Sequence, residues 1–206
     1  PRLHHSAGRG FEQLQQGARE AGFELAIASS FRSFDRQRNI WNAKASGERA
    51  VHDDAGCAVD MDCLSVSEKM HAILRYSALP GASRHHWGTD VDIYDASAVS
   101  ADYVVQLSPE EVSSGGVFDP LHRWLDAQMA DARSFGFYRP YAMDRGGVAP
   151  ERWHLSYVPV ARQYAAAMSS QRLKGCWDCL PEDEPLLLRE SVEDEFAAIF
   201  ERYVAV

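Results

Sequence analysis

An α+β fold is what three features of the chain predict. Apolar residues recur at helical spacing in several segments, and two short stretches, 89–95 and 153–157, alternate apolar with polar residues as strands do. The two kinds of segment follow one another without a regular βαβ rhythm or an internal repeat, which argues against a doubly wound sheet. The 206 residues suffice for one hydrophobic core, so a single domain over residues 1–206 is expected.

From the N-terminus, Phe11, Leu14, Ala18 and Ala21 share a helical face and Gly22 supplies a stop, which predicts a helix over 10–21. The short apolar segment 23–30 suits a strand. Ser33 can cap the next helix, with Asp35 in its first turn, running through Ile40 and Trp41 toward Gly47. Arg32 then falls at the junction of strand and helix, where a rigid scaffold presents functional side chains. Residues 47–64 are polar and irregular. Ser65 and Glu68 have capping-box spacing for a helix through Leu74, followed by a turn at Leu79-Pro80-Gly81. In 89–95, Thr89, Val91 and Ile93 take one face of a strand and Asp90, Asp92 and Tyr94 the other, so two carboxylates share a side. Asp119-Pro120 starts a helix with Leu121, Trp124, Leu125 and Met129 on its apolar stripe, and Gly136 ends that region. Residues 144–150 form a loop, Glu151 sits where it becomes a strand, and Trp153, Leu155 and Tyr157 then alternate with His154 and Ser156. Pro159 can open a helix through Met168. Ser191, Val192, Phe196, Ile199, Phe200 and Tyr203 predict one amphipathic C-terminal helix.

Composition narrows the function. Hydrophobic residues make up 46% and charged residues 25% of the chain, the balance of an ordinary folded protein. With 21 basic against 30 acidic residues the net charge is −9, and no run of Lys and Arg offsets it, so nucleic acid is not an expected partner. No stretch approaches the roughly 20 consecutive apolar residues of a membrane span, and residues 1–10 lack the apolar core of a secretory signal. The chain is therefore expected to be soluble, in the cytoplasm or the periplasm, and a start at Pro1 rather than Met fits a trimmed N-terminus. Nothing in the composition indicates an oligomeric state. Cys57, Cys63, Cys176 and Cys179 are too few for a disulfide scaffold. The last two form Cys-x-x-Cys, a pattern open to half a zinc site, a redox pair or a local disulfide, and a structural or incidental role is expected.

The densest chemistry lies in residues 83–92, Ser-Arg-His-His-Trp-Gly-Thr-Asp-Val-Asp, which hold two imidazoles and two carboxylates. Zinc accepts nitrogen from His and oxygen from Asp, and a catalytic site needs three protein ligands with one position left for water. This segment can supply two ligands and His154 a third. A lone His is usually a satisfied core or surface residue. Here, however, Glu151 lies three residues before His154, and a carboxylate beside activated water is what hydrolysis needs to remove a proton. The helical His-Glu-x-x-His arrangement is absent, so a zinc peptidase would use another geometry.

These residues resemble the VanY and VanX type D-alanyl-D-alanine carboxypeptidases and dipeptidases, the zinc peptidases also called LAS enzymes. The family pattern Ser-x-His-x-x-Gly-x-Ala-x-Asp falls on Ser83, His85, Gly88 and Asp92, and its Glu-x-x-His on Glu151 and His154, with Trp153 before the ligand. Ser30-Phe31-Arg32-Ser33 followed by Gln37 resembles the family's aromatic-Arg-Ser element, and together the matches span about residues 23–157.

The resemblance implies zinc held by His85, Asp92 and His154, Glu151 as general base, and Arg32 near the developing oxyanion or the substrate carboxylate. It implies that a small antiparallel sheet flanked by helices carries a zinc cleft, and Ser83 and Gln37 are candidates either to hydrogen-bond the peptide or to serve as turn and helix-surface residues. Asp90 stands where the family has Ala. It points the same way as Asp92, so it is expected either to hydrogen-bond a ligand imidazole or to add an acidic wall that meets the substrate. His86 is expected to support structure. The implied substrate is a short peptidoglycan-derived peptide with a free C-terminal carboxylate, ending in D-Ala. An L,D-carboxypeptidase or wall endopeptidase with the same zinc centre is one alternative, and a non-catalytic zinc-stabilised binding module another. Glu151 and Arg32 argue against the module, since a structural zinc site requires neither.

Overall fold

The computed structural model describes residues 1–205, which gather in two compact units. The first comprises residues 1–31, 87–142 and 151–164, and the second comprises the rest.

The strands of the first unit are β1 (Leu25–Ser29), β2 (Asp90–Asp95), β3 (Phe137–Tyr138) and β4 (His154–Tyr157), paired antiparallel in the order β1-β2-β4-β3. This is the small antiparallel sheet of the expected α+β fold. Val91, Ile93 and Leu155 are buried in one apolar cluster with Phe11, Leu14 and Ala18 of helix His5–Glu20 and with Leu121 and Leu125 of helix Asp119–Ala130. Full burial of each such side chain contributes about 1.5–3 kcal/mol. The register of β2 is fixed accordingly, because a one-residue slip would turn Asp90 and Asp92 into the apolar cluster.

The first helix begins well before the expected 10–21. His4 is its cap, with ring Nδ1 accepting the Ser6 N–H at 3.3 Å, and His is not among the residues that usually signal a helix start. His4 also explains the glycine of the 83–92 segment. Its N–H donates to the Gly88 carbonyl at 2.8 Å, Gly88 adopts a φ of +67°, and a Cβ there would lie 3.1 Å from the His4 nitrogen. The two-residue strand β3 went unpredicted because it is too short to show alternation.

The second unit packs Trp41, Met70, Ile73, Leu74, Leu79, Leu173, Trp177, Val192 and Ile199 into a separate core. Ser33 caps helix Phe34–Ala45 by accepting the Arg36 N–H, and Ser65 with Glu68 forms the capping box of helix Val66–Leu74, both as expected. Helix Ser170–Asp178 was not anticipated, since Leu173 and Trp177 are its only buried residues and two anchors make no period. The predicted C-terminal helix is instead Arg189–Asp194, Phe196–Ile199 and a wide turn over Phe200–Val204. Val192, Phe196, Ile199 and Tyr203 still keep helical spacing, so their pattern cannot reveal the break at Glu195. Among the described residues no helix is long and apolar enough to cross a membrane.

Candidate metal and catalytic site

In the first unit, the polar face of β2 and β4 carries Asp90, Asp92, His154 and Ser156. The register sets Asp92 opposite His154 and Asp90 opposite Ser156, which makes cross-strand neighbours of residues distant in sequence. Each is 4% exposed or less. His154 Nε2 lies 2.8 Å from Asp90 Oδ1, while Nδ1 lies 3.3 Å from Asp92 Oδ1 and 3.2 Å from Glu151 Oε2. The hydroxyls of Thr89 and Ser156 donate to Asp90 Oδ2 at 2.6 and 3.0 Å. Asp90 thus accepts from two hydroxyls while its other oxygen meets the imidazole. Nε2 is placed to donate to Asp90, and Nδ1 faces Asp92 and Glu151. Burial disfavours the charged ring, but the hydrogen-bonding carboxylates of Asp90, Asp92 and Glu151 outweigh it and hold the His154 pKa well above its ordinary value. Such surroundings attract a cation to Nδ1.

A tight turn brings Glu151 to the ring. The His154 N–H donates to the Glu151 carbonyl at 3.1 Å, and the Glu151 N–H donates to Tyr141 at 3.0 Å. The Tyr141 ring meets His154 edge to face at 5.1 Å. An ion network grips the same turn. Arg152 donates to Asp119 at 2.9 Å and to Asp126 at 2.6 Å, and Arg139 pairs with Asp126 and donates to the Arg152 carbonyl at 2.7 Å. His122 is buried beside it, its Nδ1 3.3 Å from Arg139 Nη2. Burial, reinforced by the charges of Arg139 and Arg152, pushes its pKa down to about 3. Sequence reasoning missed Tyr141, Arg139 and Arg152. None is a defining position of a motif, and the place of Arg152 within Glu151-x-x-His154 was the sole signal.

The second unit holds Arg32, Gln37, Ser83, His85 and His86. Arg32 Nη1 donates to Gln37 Oε1 at 2.8 Å, and Gln37 Nε2 donates to the Ala78 carbonyl at 2.7 Å. Gln37, a candidate peptide contact, is fully buried with both ends of its amide engaged, one of them by Arg32. His86 Nδ1 lies 2.6 Å from the Arg32 carbonyl and Nε2 accepts the Gly81 N–H at 3.1 Å, which assigns the hydrogen to Nδ1. Burial lowers the His86 pKa and favours this neutral bridge. The His85 carbonyl accepts the Arg32 N–H at 3.2 Å, and Ser83 and His85 are both buried, at the start of the short turn Arg84–Trp87 and within it.

Asp90, expected either to bond a ligand imidazole or to wall the cleft, is fully buried with Oδ1 against His154 Nε2. All four cysteines are free and exposed, and the group of possible metal-holding side chains found among the described residues includes none of them.

The family model described as VanY, D-alanyl-D-alanine carboxypeptidase, matches residues 1–160. A D-alanyl-D-alanine carboxypeptidase of Enterococcus faecalis is 28% identical over 152 residues, covering 72% of this chain and 46% of that protein. The chain spans about half the length of two curated relatives it matches. VanYB in complex with D-alanine-D-alanine shares 21% identity at a TM-score of 0.53, covering 87% of this chain and 84% of that one. A vancomycin resistance D,D-pentapeptidase VanY in complex with Zn(II) shares 24% at a TM-score of 0.51, covering 84% and 83%. At such identities these two likenesses speak for the fold.

Proposed function

Because the chain belongs to the VanY family of D-alanyl-D-alanine carboxypeptidases, we propose that it is a zinc-dependent carboxypeptidase that removes C-terminal D-alanine from short peptidoglycan-derived peptides. One observation carries this reading. The His154 ring is fixed through Nε2 to Asp90, while Nδ1 faces carboxylate oxygens of Asp92 and Glu151 at 3.3 and 3.2 Å. Three carboxylates around one ring are a surplus of negative charge that a cation offsets, a proton on Nδ1 in the metal-free chain and the metal in its place when zinc binds.

His85, Asp92 and His154 are the proposed ligands. Each offers one ligand atom and all three are buried. One carboxylate and two imidazoles are a donor set that zinc takes with a fourth position left open. His85 enters on its motif spacing, and the Zn(II) complex of the structurally similar VanY favours the same metal.

Zinc bound there would supply a Lewis acid that polarises the scissile carbonyl and acidifies water to a pKa of roughly 7. Glu151, with its side chain 12% exposed and next to the ligand imidazole, takes a proton from the attacking water and returns it to the leaving amine. The nucleophile is water, so no acyl-enzyme forms. Arg32 presents its guanidinium, oriented by Gln37, to the developing oxyanion or the substrate carboxylate. The neutral His86 steadies the Arg32 backbone. The net charge of −9 opposes an anionic peptide only weakly, since distant charges are screened beyond about 8 Å at physiological salt.

The test compares peptides ending in D-Ala-D-Ala with free and with amidated C-termini. The free peptide should release D-alanine, and amidation should raise KM or abolish cleavage. Equal cleavage of both at the same bond would replace this reading with an endopeptidase.

A further inference from the structure

We infer that Asp90 is a positioning residue of the metal centre, a buried carboxylate that fixes His154 Nδ1 as the ligand atom and strengthens zinc binding. The inference rests on the zinc reading above and concerns a residue outside the proposed ligand and base set.

A buried carboxylate is costly unless partners replace its water. Asp90 is fully buried, and its partners come from three places: Thr89 beside it, Ser156 opposite it in the β2–β4 register, and His154 two residues before Ser156 on the same face of β4. The two hydroxyls share Oδ2, at 2.6 and 3.0 Å, which leaves Oδ1 directed at His154 Nε2 at 2.8 Å. The arrangement has two consequences. An imidazole that donates one N–H to a carboxylate is locked in tautomer and rotation, and its other nitrogen becomes a more basic ligand. The family pattern has Ala at this position, which offers the ring no acceptor. Asp90 is no catalytic residue, being sealed from solvent behind the ring it holds.

Zinc affinity of the full chain, measured by competition with a chromophoric chelator, tests this in the wild type, Asp90→Ala and Asp90→Asn, alongside melting temperatures of the metal-free forms. Asp90→Ala should weaken zinc by about 10–100-fold, the usual loss when a partner of a ligand imidazole is removed. Asp90→Asn keeps the shape and one acceptor oxygen, so it should recover part of that loss while remaining weaker than wild type. If Asp90 merely filled space, the variants would melt earlier and still hold zinc as tightly as wild type, which would overturn the inference. Should Asp90→Ala not fold, the near-isosteric Asp90→Asn decides alone. A wild type that binds zinc tightly beside an equally tight Asp90→Asn sinks only this inference, whereas a wild type that binds none removes the zinc reading itself.

Discussion

His122 and His154 are buried imidazoles of the same unit with opposite surroundings. Beside His122 stand the guanidinium groups of Arg139 and Arg152, which add to burial in pushing its pKa down to about 3. Around His154 stand Asp90, Asp92 and Glu151, whose hydrogen bonds overcome the same burial penalty and raise its pKa. Two buried rings therefore shift in opposite directions, and the balance of neighbouring charge sets the sign. The network at His122 grips the backbone of the Glu151 turn, while the one at His154 gathers the carboxylates of the proposed metal site.

The sharpest way to break this comparison is to remove each ring. His154→Ala should lose zinc and lower turnover by about 1000-fold or more, whereas His122→Leu should keep zinc and wild-type turnover. Metal analysis and D-alanine release measure both, and equal losses in the two variants would erase the distinction. Next in size, Glu151→Gln should retain zinc and lower kcat by about 100-fold, and unchanged turnover would mean that another base serves. A smaller effect, about 10-fold in kcat/KM, is expected of Arg32→Lys, because an ammonium keeps the charge but not the planar donor pair that Gln37 orients.

The smallest effect is one of stability. His122 has a depressed pKa, so below about pH 6.5 the unfolded chain takes up a proton that the folded one refuses until near 3. Its contribution is complete above about pH 6.5 and is lost as pH falls toward 3, with a limiting slope of about 1.4 kcal/mol per pH unit. Denaturation of metal-free protein across this window should show a shallower acid loss in His122→Leu. An identical slope would show that other groups govern the acid limit.

The His154 surroundings were largely legible in the sequence, and those of His122 were not. Alternation along 89–95 and 153–157 places Asp90, Asp92, His154 and Ser156 on one face, because a strand has a strict period of two. Pairing β2 with β4 then needs only the register that buries Val91 and Leu155. The Arg139, Arg152, Asp119 and Asp126 network joins a helix to two loop-flanked strand ends, and no local spacing encodes such contacts. The surroundings of Gln37 were hidden for a related reason. Its place on the helix after Arg32 was visible, but whether its amide faced solvent or the Ala78 carbonyl depended on packing in the second unit. Asp90 was recognised as a departure, and the register that sets it opposite Ser156 favours the contact with His154.

Reconstitution of metal-stripped protein tests the central claim most directly. Zinc is added in sub-stoichiometric steps while D-alanine release from a peptide ending in D-Ala-D-Ala is followed. Activity should rise from near zero in proportion to zinc and stop rising at one equivalent per chain. Full activity in the stripped protein, or no response to added zinc, would contradict the assignment of His154 Nδ1 as the nitrogen that holds the metal.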